Sequence, residues 1–452
     1  MNQKNISGFR SIVMFIGLLL AIMIPASYAT AHYSPESYGW KLEKVQDVAA
    51  YPDLKEYIWT KKVTPYRPCD KIAVHRLVKE HSRPTAAVFI LPGTWASAAQ
   101  MISNAPGDLG AGRHWFKWDQ YNITHYLANR GFDVYSMDYR SHFVEEYLAA
   151  TYPEVTNKLY TPDQMAFMKD WGWGEWISDI HEAINLTKKL SGDQKVFLGG
   201  ESFGGGAAIN YASAYWKQDL KGVILLDGGS VQKKPGSNSY NFSTQYNNMI
   251  ANKTWSSEVS GPNAVNLYRQ ADLDPKTPSP DPNYATFMDF FKARMFVAWG
   301  PGGVSNIYNV DVSTSPYTPL TAEQAVCIPE NVLHDLSRGD RYWPARLSLE
   351  SSAIYNNDGC TSANPNCIGI SINYDFDDNF KKINVPVIGF LSGNFGAKSN
   401  PAGFQPGGLA TSDVTGYILN NYGHYEVYDG ARSAIDVNQR VYEWLLNHQH
   451  GR

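Results

Sequence analysis

Gly200-Glu201-Ser202-Phe203-Gly204 joins an apolar run to a stretch of small residues, and no other part of the chain constrains the fold as much. Before it stands Lys195-Val196-Phe197-Leu198-Gly199, which reads as a buried strand. After it comes Gly205-Gly206-Ala207-Ala208-Ile209-Asn210-Tyr211-Ala212, small enough to let a helix pack close against a sheet. A strand turning sharply into a helix through Gly-x-Ser-x-Gly pushes the serine Oγ into the open. The glycines permit a backbone turn that Cβ-bearing residues would resist. A plain glycine turn would use the same pentapeptide, so the flanking strand and helix carry the reading.

Strand and helix patterns alternate on both sides of this turn. Residues 71–78 have strand character, and residues 86–91 form the continuous apolar run expected of a strand buried on both faces. A helical stretch over 118–129 leads to a strand at 131–138. Residues 174–190 are amphipathic, with Trp176, Ile177, Ile180, Ile184 and Leu190 on one side. Further strands are predicted at 220–226, 383–391 and 415–419, with a closing helix at 431–447. Residues 32–70 read as a polar extension with turns at Pro35, Pro52, Pro65 and Pro68. The alternation predicts a parallel sheet covered by helices.

In these motifs the chain resembles the α/β-hydrolase superfamily, over roughly residues 71–229 and 381–450. Leu91-Pro92-Gly93-Thr94-Trp95 follows the early strand, where that family carries His-Gly and then its oxyanion residue; here proline replaces the histidine. Asp138-Tyr139-Arg140-Ser141 resembles the family's Asp-x-Arg turn. Ser202 stands on the elbow, and Gly423-His424 follows the last strand, where the catalytic histidine belongs. The resemblance implies an α/β fold with a mostly parallel sheet and helices on both faces. It also implies a largely helical cap inserted before the penultimate strand. The catalytic domain would span 32–229 and 381–452, and the cap or lid 230–380.

A serine hydroxyl needs a base to take its proton as it attacks. Among eleven histidines, His424 is the candidate: it comes late, follows a strand and has a glycine beside it. His448 and His450 fall in the tail, and His334 in the insertion. The developing oxyanion needs two preorganised donors, which the resemblance assigns to the backbone N–H groups of Phe203 and Thr94. An acid must orient the histidine. Most of the family place it after the penultimate strand, but Leu391-Ser392-Gly393-Asn394-Phe395-Gly396 carries glycine there. Asp227, ending the preceding strand in Leu225-Leu226-Asp227-Gly228-Gly229, is the first choice, and Asp413 the alternative acid. An aspartate at 227 could also simply bond its own turn.

The implied activity is that of a secreted serine hydrolase cleaving a carboxylic ester through an acyl-enzyme. Its substrate would be a small-molecule or lipid-like ester, and no cofactor is expected. A peptidase, amidase or lipase of the same superfamily is the alternative, as is a catalytically silent ligand-binding relative.

The residues between Asp227 and Ile383 follow no α/β repeat. Helical patterns cover 284–299, where Phe287, Phe290, Phe291, Met295 and Phe296 dominate, and 321–336; Tyr342-Trp343-Pro344 begins another. Such a segment above the serine would exclude water and shape a pocket, although most of its aromatics are expected to form its own core. Asp375-Phe376-Asp377-Asp378 matches no calcium-loop spacing and reads as a solvated turn.

Lys4 and Arg10 precede an apolar run over 12–24, then Pro25 and Ala29-Thr30-Ala31. That is the pattern of a secretory signal peptide over 1–31, which predicts a secreted or periplasmic protein. No later stretch is long and apolar enough to cross a bilayer. Cys360 and Cys367 bracket a polar turn and form a possible disulfide, leaving Cys69 and Cys327. No Cys/His cluster has metal-ligand spacing, so no metal is predicted. Sequons at Asn122, Asn185, Asn241 and Asn252 matter only in a glycosylating host. With 39 basic against 43 acidic residues and no basic stripe, nothing points to nucleic acid. Nothing in the sequence marks an oligomeric state.

Overall fold

The computed structural model describes residues 35–48, 51–102, 122–156, 159–233, 236–258, 264–295, 310–311, 318–319, 329–393, 395–399, 403–405, 407–420, 422–429 and 432–449. The chain divides into two compact units, Met1–Lys41 and Leu42–Arg452. In the first, Pro35–Tyr38 forms a short 3-10 helix. The expected leader and Cys327 lie outside the described residues.

Nine strands make one sheet: β1 (Trp40–Val48), β2 (Tyr51–Lys62), β3 (Lys71–Lys79), β4 (Ala87–Leu91), β5 (Asp133–Asp138), β6 (Val196–Glu201), β7 (Leu220–Leu226), β8 (Val387–Ser392) and β9 (Val414–Leu419). Their order in space is β1-β2-β3-β5-β4-β6-β7-β8-β9. From β5 to β9 each neighbouring pair is parallel, whereas β2-β3 and β3-β5 are antiparallel. Parallel neighbours require crossover connections. Here these include the helices α1 (Ile123–Asn129), α2 (Trp173–Ser191) and α3 (Phe203–Asp219).

Local chemistry sets the ends of these helices. The Asn122 side chain accepts from Thr124 N at 2.9 Å and caps α1. That asparagine is buried, so its sequon is no acceptor for a glycan. Helix α2 starts where the Glu175 side chain reaches back to Gly172 N, and it stops at Gly192, whose φ of 76° few other residues adopt.

Strands β4, β6 and β8 are buried along their whole length, which is why they read as unbroken apolar runs. Val88, Ile90, Phe197, Ile224, Leu226, Ile388 and Phe390 form one core with Leu127 and Ala128 of α1. The closing helix α8 (Gln439–His448) adds Val441, Trp444 and Leu445 to it. Helices α2 and α3 also pack on β4 and β6. Alternate strand residues such as Phe89 and Leu198 are buried as well, which assigns α2 and α3 the opposite face.

Residues 40–48 and 51–62 correct the expectation of a polar extension, because they form β1 and β2. Both lie at the antiparallel edge of the sheet, and most side chains of β1 face solvent, so charge masked the alternation. Between β7 and β8 stand α4 (Phe242–Asn252), α5 (Ala264–Leu273), α6 (Pro329–Ser337) and α7 (Ala345–Asn356). Tyr342–Pro344 is a short strand paired with Ser256–Glu258 rather than the start of a helix. The aromatic stretch holds a four-residue helix, Phe287–Phe290, and a π turn, Phe291–Met295; its continuation lies outside the described residues. Cys360 and Cys367 form a disulfide. Among the described residues no helix is long and apolar enough to cross a membrane.

Buried charge ties the antiparallel edge to the parallel sheet. Arg140 makes a bidentate pair with Asp179, 2.7 Å at each oxygen, and also meets Asp70. His75 lies between Glu56 (2.7 Å) and Asp138 (2.9 Å). Burial alone would lower the His75 pKa, but the two carboxylates outweigh it and raise it to about 10. A histidine raised in the folded state contributes stability fully below its unfolded pKa of about 6.5 and loses it as pH rises through its folded value. The melting temperature should therefore fall between about pH 7 and pH 10. Glu56→Gln should flatten that decline, and melting curves across this range check it.

Candidate active site

Ser202 follows β6 with φ 54° and ψ −120°, a left-handed conformation for a non-glycine residue. Such a backbone costs on the order of 1–3 kcal/mol and persists only where the surroundings enforce it. They do so through close approach. A Cβ on Gly200 would lie 2.1 Å from the Gly204 carbonyl carbon, and one on Gly204 would lie 2.2 Å from Leu91 O. Ser202 N also donates to Leu226 O at 2.9 Å, locking the elbow to the end of β7.

Asp227 follows β7 and is buried, with φ 47°. Its Oδ2 stands 2.6 Å from Nδ1 of His424, which arrives from 197 residues away. The carboxylate accepts two more hydrogen bonds, both from Ser392: N to Oδ1 and Oγ to Oδ2, each 2.6 Å. Thus the end of the penultimate strand, which carries no acidic residue, holds the aspartate of the neighbouring strand. Asn394 lies outside the described residues. Asp413 is elsewhere: its Oδ2 is 3.2 Å from His448 Nε2.

His424 is mostly buried, with Phe395 packed on its ring at 4.5 Å between centroids. Burial pulls its pKa down, but the Asp227 hydrogen bond and the charges of Glu201 and Asp227 raise it overall. Glu201 escaped the sequence analysis. Its Oε1 lies 3.2 Å from His424 Nε2, and a Cβ on Gly93 would lie 2.4 Å from its Oε2. Burial pushes this carboxyl up to about 7, with His424 pulling the other way and Asp227 and Asp335 adding to the rise. The only signal was an acid immediately before the serine, at a position the pentapeptide leaves open.

The Thr94 loop lies against the elbow. A Cβ on Gly93 would come within 3.2 Å of Ser202 Cβ, and Tyr139 Oη donates to Pro92 O at 3.1 Å. Phe203 is the first residue of α3, so its N–H is one of those a helix start leaves unpaired. Residues from the 230–380 segment reach the same place. Asp340 N donates to Trp95 O (2.6 Å), Gln100 Nε2 donates to Asp335 O (2.5 Å), and the Trp343 ring stands edge-on to Phe203 at 5.0 Å.

The serine aminopeptidase family, S33, matches residues 110–285, a span that includes the elbow and Asp227. A solved structure from Sulfolobus solfataricus, described as "a putative lipase", is 32% identical to this chain. The match covers 90% of this chain and 99% of that one, with a TM-score of 0.65. A proline iminopeptidase of Thermoplasma volcanium is 39% identical over 67 residues, 15% of this chain and 20% of that enzyme. The chain spans about a fifth of that curated relative. The chain belongs to the α/β-hydrolase superfamily. Its relatives are lipase- and peptidase-like hydrolases.

Proposed function

We propose that the protein cleaves carboxylic esters through an acyl intermediate on Ser202. The observation that carries this reading is the Asp227–His424 contact of 2.6 Å beside a serine on a strained elbow. In this mechanism His424 Nε2 takes the Ser202 proton while Asp227 holds Nδ1–H and stabilises the imidazolium. The N–H groups of Phe203 and Thr94 receive the oxyanion. The imidazolium then returns its proton to the leaving alcohol, and water repeats the sequence to release the acid. The contacts of Asp335, Asp340 and Trp343 with the site support a role for 230–380 as a cap that shapes the acyl pocket. In the same reading, the leader at 1–31 directs the protein to export. Turnover of p-nitrophenyl esters by purified protein, together with covalent labelling by a fluorophosphonate, tests it; no reaction with either overturns it.

The S33 match and the iminopeptidase stretch favour a second reading, hydrolysis of an N-terminal amino acid. A kcat/KM higher for aminoacyl anilides than for esters would select it.

Glu201 should tune the base in either reading. Its charge favours the imidazolium of His424. Removing that charge in Glu201→Gln lowers the His424 pKa, so the acidic limb of kcat/KM should move toward lower pH. An unmoved limb would show that this carboxylate does not act on the base.

A further inference from the structure

Asp377 and Asp378 stand partly exposed on the turn expected of them, but Asp375 beside them is buried. One carboxylate oxygen from each lies within 4.8 Å of the others, about the widest separation at which two oxygens can both touch a calcium ion at about 2.4 Å. Asp375 is 8% exposed, yet its Oδ2 has no hydrogen-bond partner, and Oδ1 of Asp377 has none either. Buried carboxylate oxygens without donors are costly unless a proton or a cation meets them. Lys233 does not reach them: its ammonium pairs with Asp378 and Asp358 instead. A cavity of about 20 Å³ opens beside Asp377, room for a water ligand.

We propose that Asp375, Asp377 and Asp378 form a calcium-binding site. All three donors are carboxylate oxygens, which suit a hard divalent cation, and calcium tolerates irregular geometry where magnesium demands a regular octahedron. The site ties together separate parts of the chain: Lys233, soon after β7, and Asp358, beside the Cys360–Cys367 disulfide, both join the cluster through the Lys233 ammonium. Phe376, between the ligands, packs on Trp173 at 5.4 Å, and Trp173 stacks on Phe203 at 5.2 Å. An ion at this loop stiffens the support of the residue that follows Ser202.

The test is calorimetric titration of chelator-stripped, full-length protein with calcium chloride, alongside melting curves with and without calcium. Saturable binding with a Kd of about 10⁻⁵–10⁻³ M and a rise in melting temperature on the order of 5 °C at saturation are expected. Asp378→Asn, at a half-exposed position, should fold normally and weaken binding roughly tenfold or more. No saturable binding by the native protein at millimolar calcium overturns the site. So does unchanged affinity in Asp378→Asn, and an equal response to magnesium overturns the choice of ion.

Discussion

Ser202→Ala should abolish turnover and leave the fold unchanged. Alanine keeps the Cβ and so fits the elbow conformation at φ 54° as serine does, but it has no Oγ to attack with. Removing one member of a unit that acts together typically lowers kcat by about 10⁴–10⁶-fold. The melting temperature should stay within a degree or two of the parent, because one half-buried hydroxyl contributes little to stability. Ester hydrolysis and fluorophosphonate labelling, read beside a melting curve, check both halves. Hydrolysis retained above a few per cent with an intact fold would falsify the nucleophile.

Asp227→Asn should be nearly as severe, on the order of 10⁴ in kcat, with apparent substrate binding little changed. Asparagine accepts a left-handed backbone readily and fits the same space. Its carbonyl can still accept from Ser392 N, so the fold should survive. What it cannot do is present an acceptor to both Ser392 and His424 Nδ1. An amide N–H aimed at Nδ1 forces the neutral imidazole to carry its proton on Nε2, the nitrogen that must be free to deprotonate the serine. Asp413→Asn should be mild, since its partner is His448. Severe loss in Asp413→Asn with a mild effect in Asp227→Asn would reassign the acid.

Most of the parallel sheet was legible, because strands buried on both faces have no polar alternation to confuse the reading. Leu220–Leu226 shows this: its predicted bounds and its observed ones coincide. The edge strands β1 and β2 were illegible for the converse reason. Lys, Glu and Asp on their exposed faces resemble an extension, and only the pairing of β2 with β3, and of β1 with β2, settles them as strand. At the site, a glycine-bounded serine and a late Gly-His pair could be read locally, as could an aspartate at a strand end. Ser392 and Glu201 could not. The first matters only because β8 lies next to β7, and the second only because the imidazole swings over the elbow. Asp375 was misread because neighbouring acids look solvated in one dimension, whereas its side chain is buried in the fold.

The handover of the acid from β8 to β7 changes when the site can exist during synthesis. Ser202 and Asp227 sit at the ends of adjoining strands, joined by a single helix, and can come together as soon as that unit folds. His424 must close a loop of 197 residues, an entropic cost about 2 kcal/mol above that of the shorter closure. Domains form from the N-terminus as the ribosome delivers them, so a nascent chain carries the proposed nucleophile and acid well before it gains the proposed base. In the proposed mechanism, catalysis switches on only when the segment carrying His424 docks, and the growing polypeptide stays chemically silent until then.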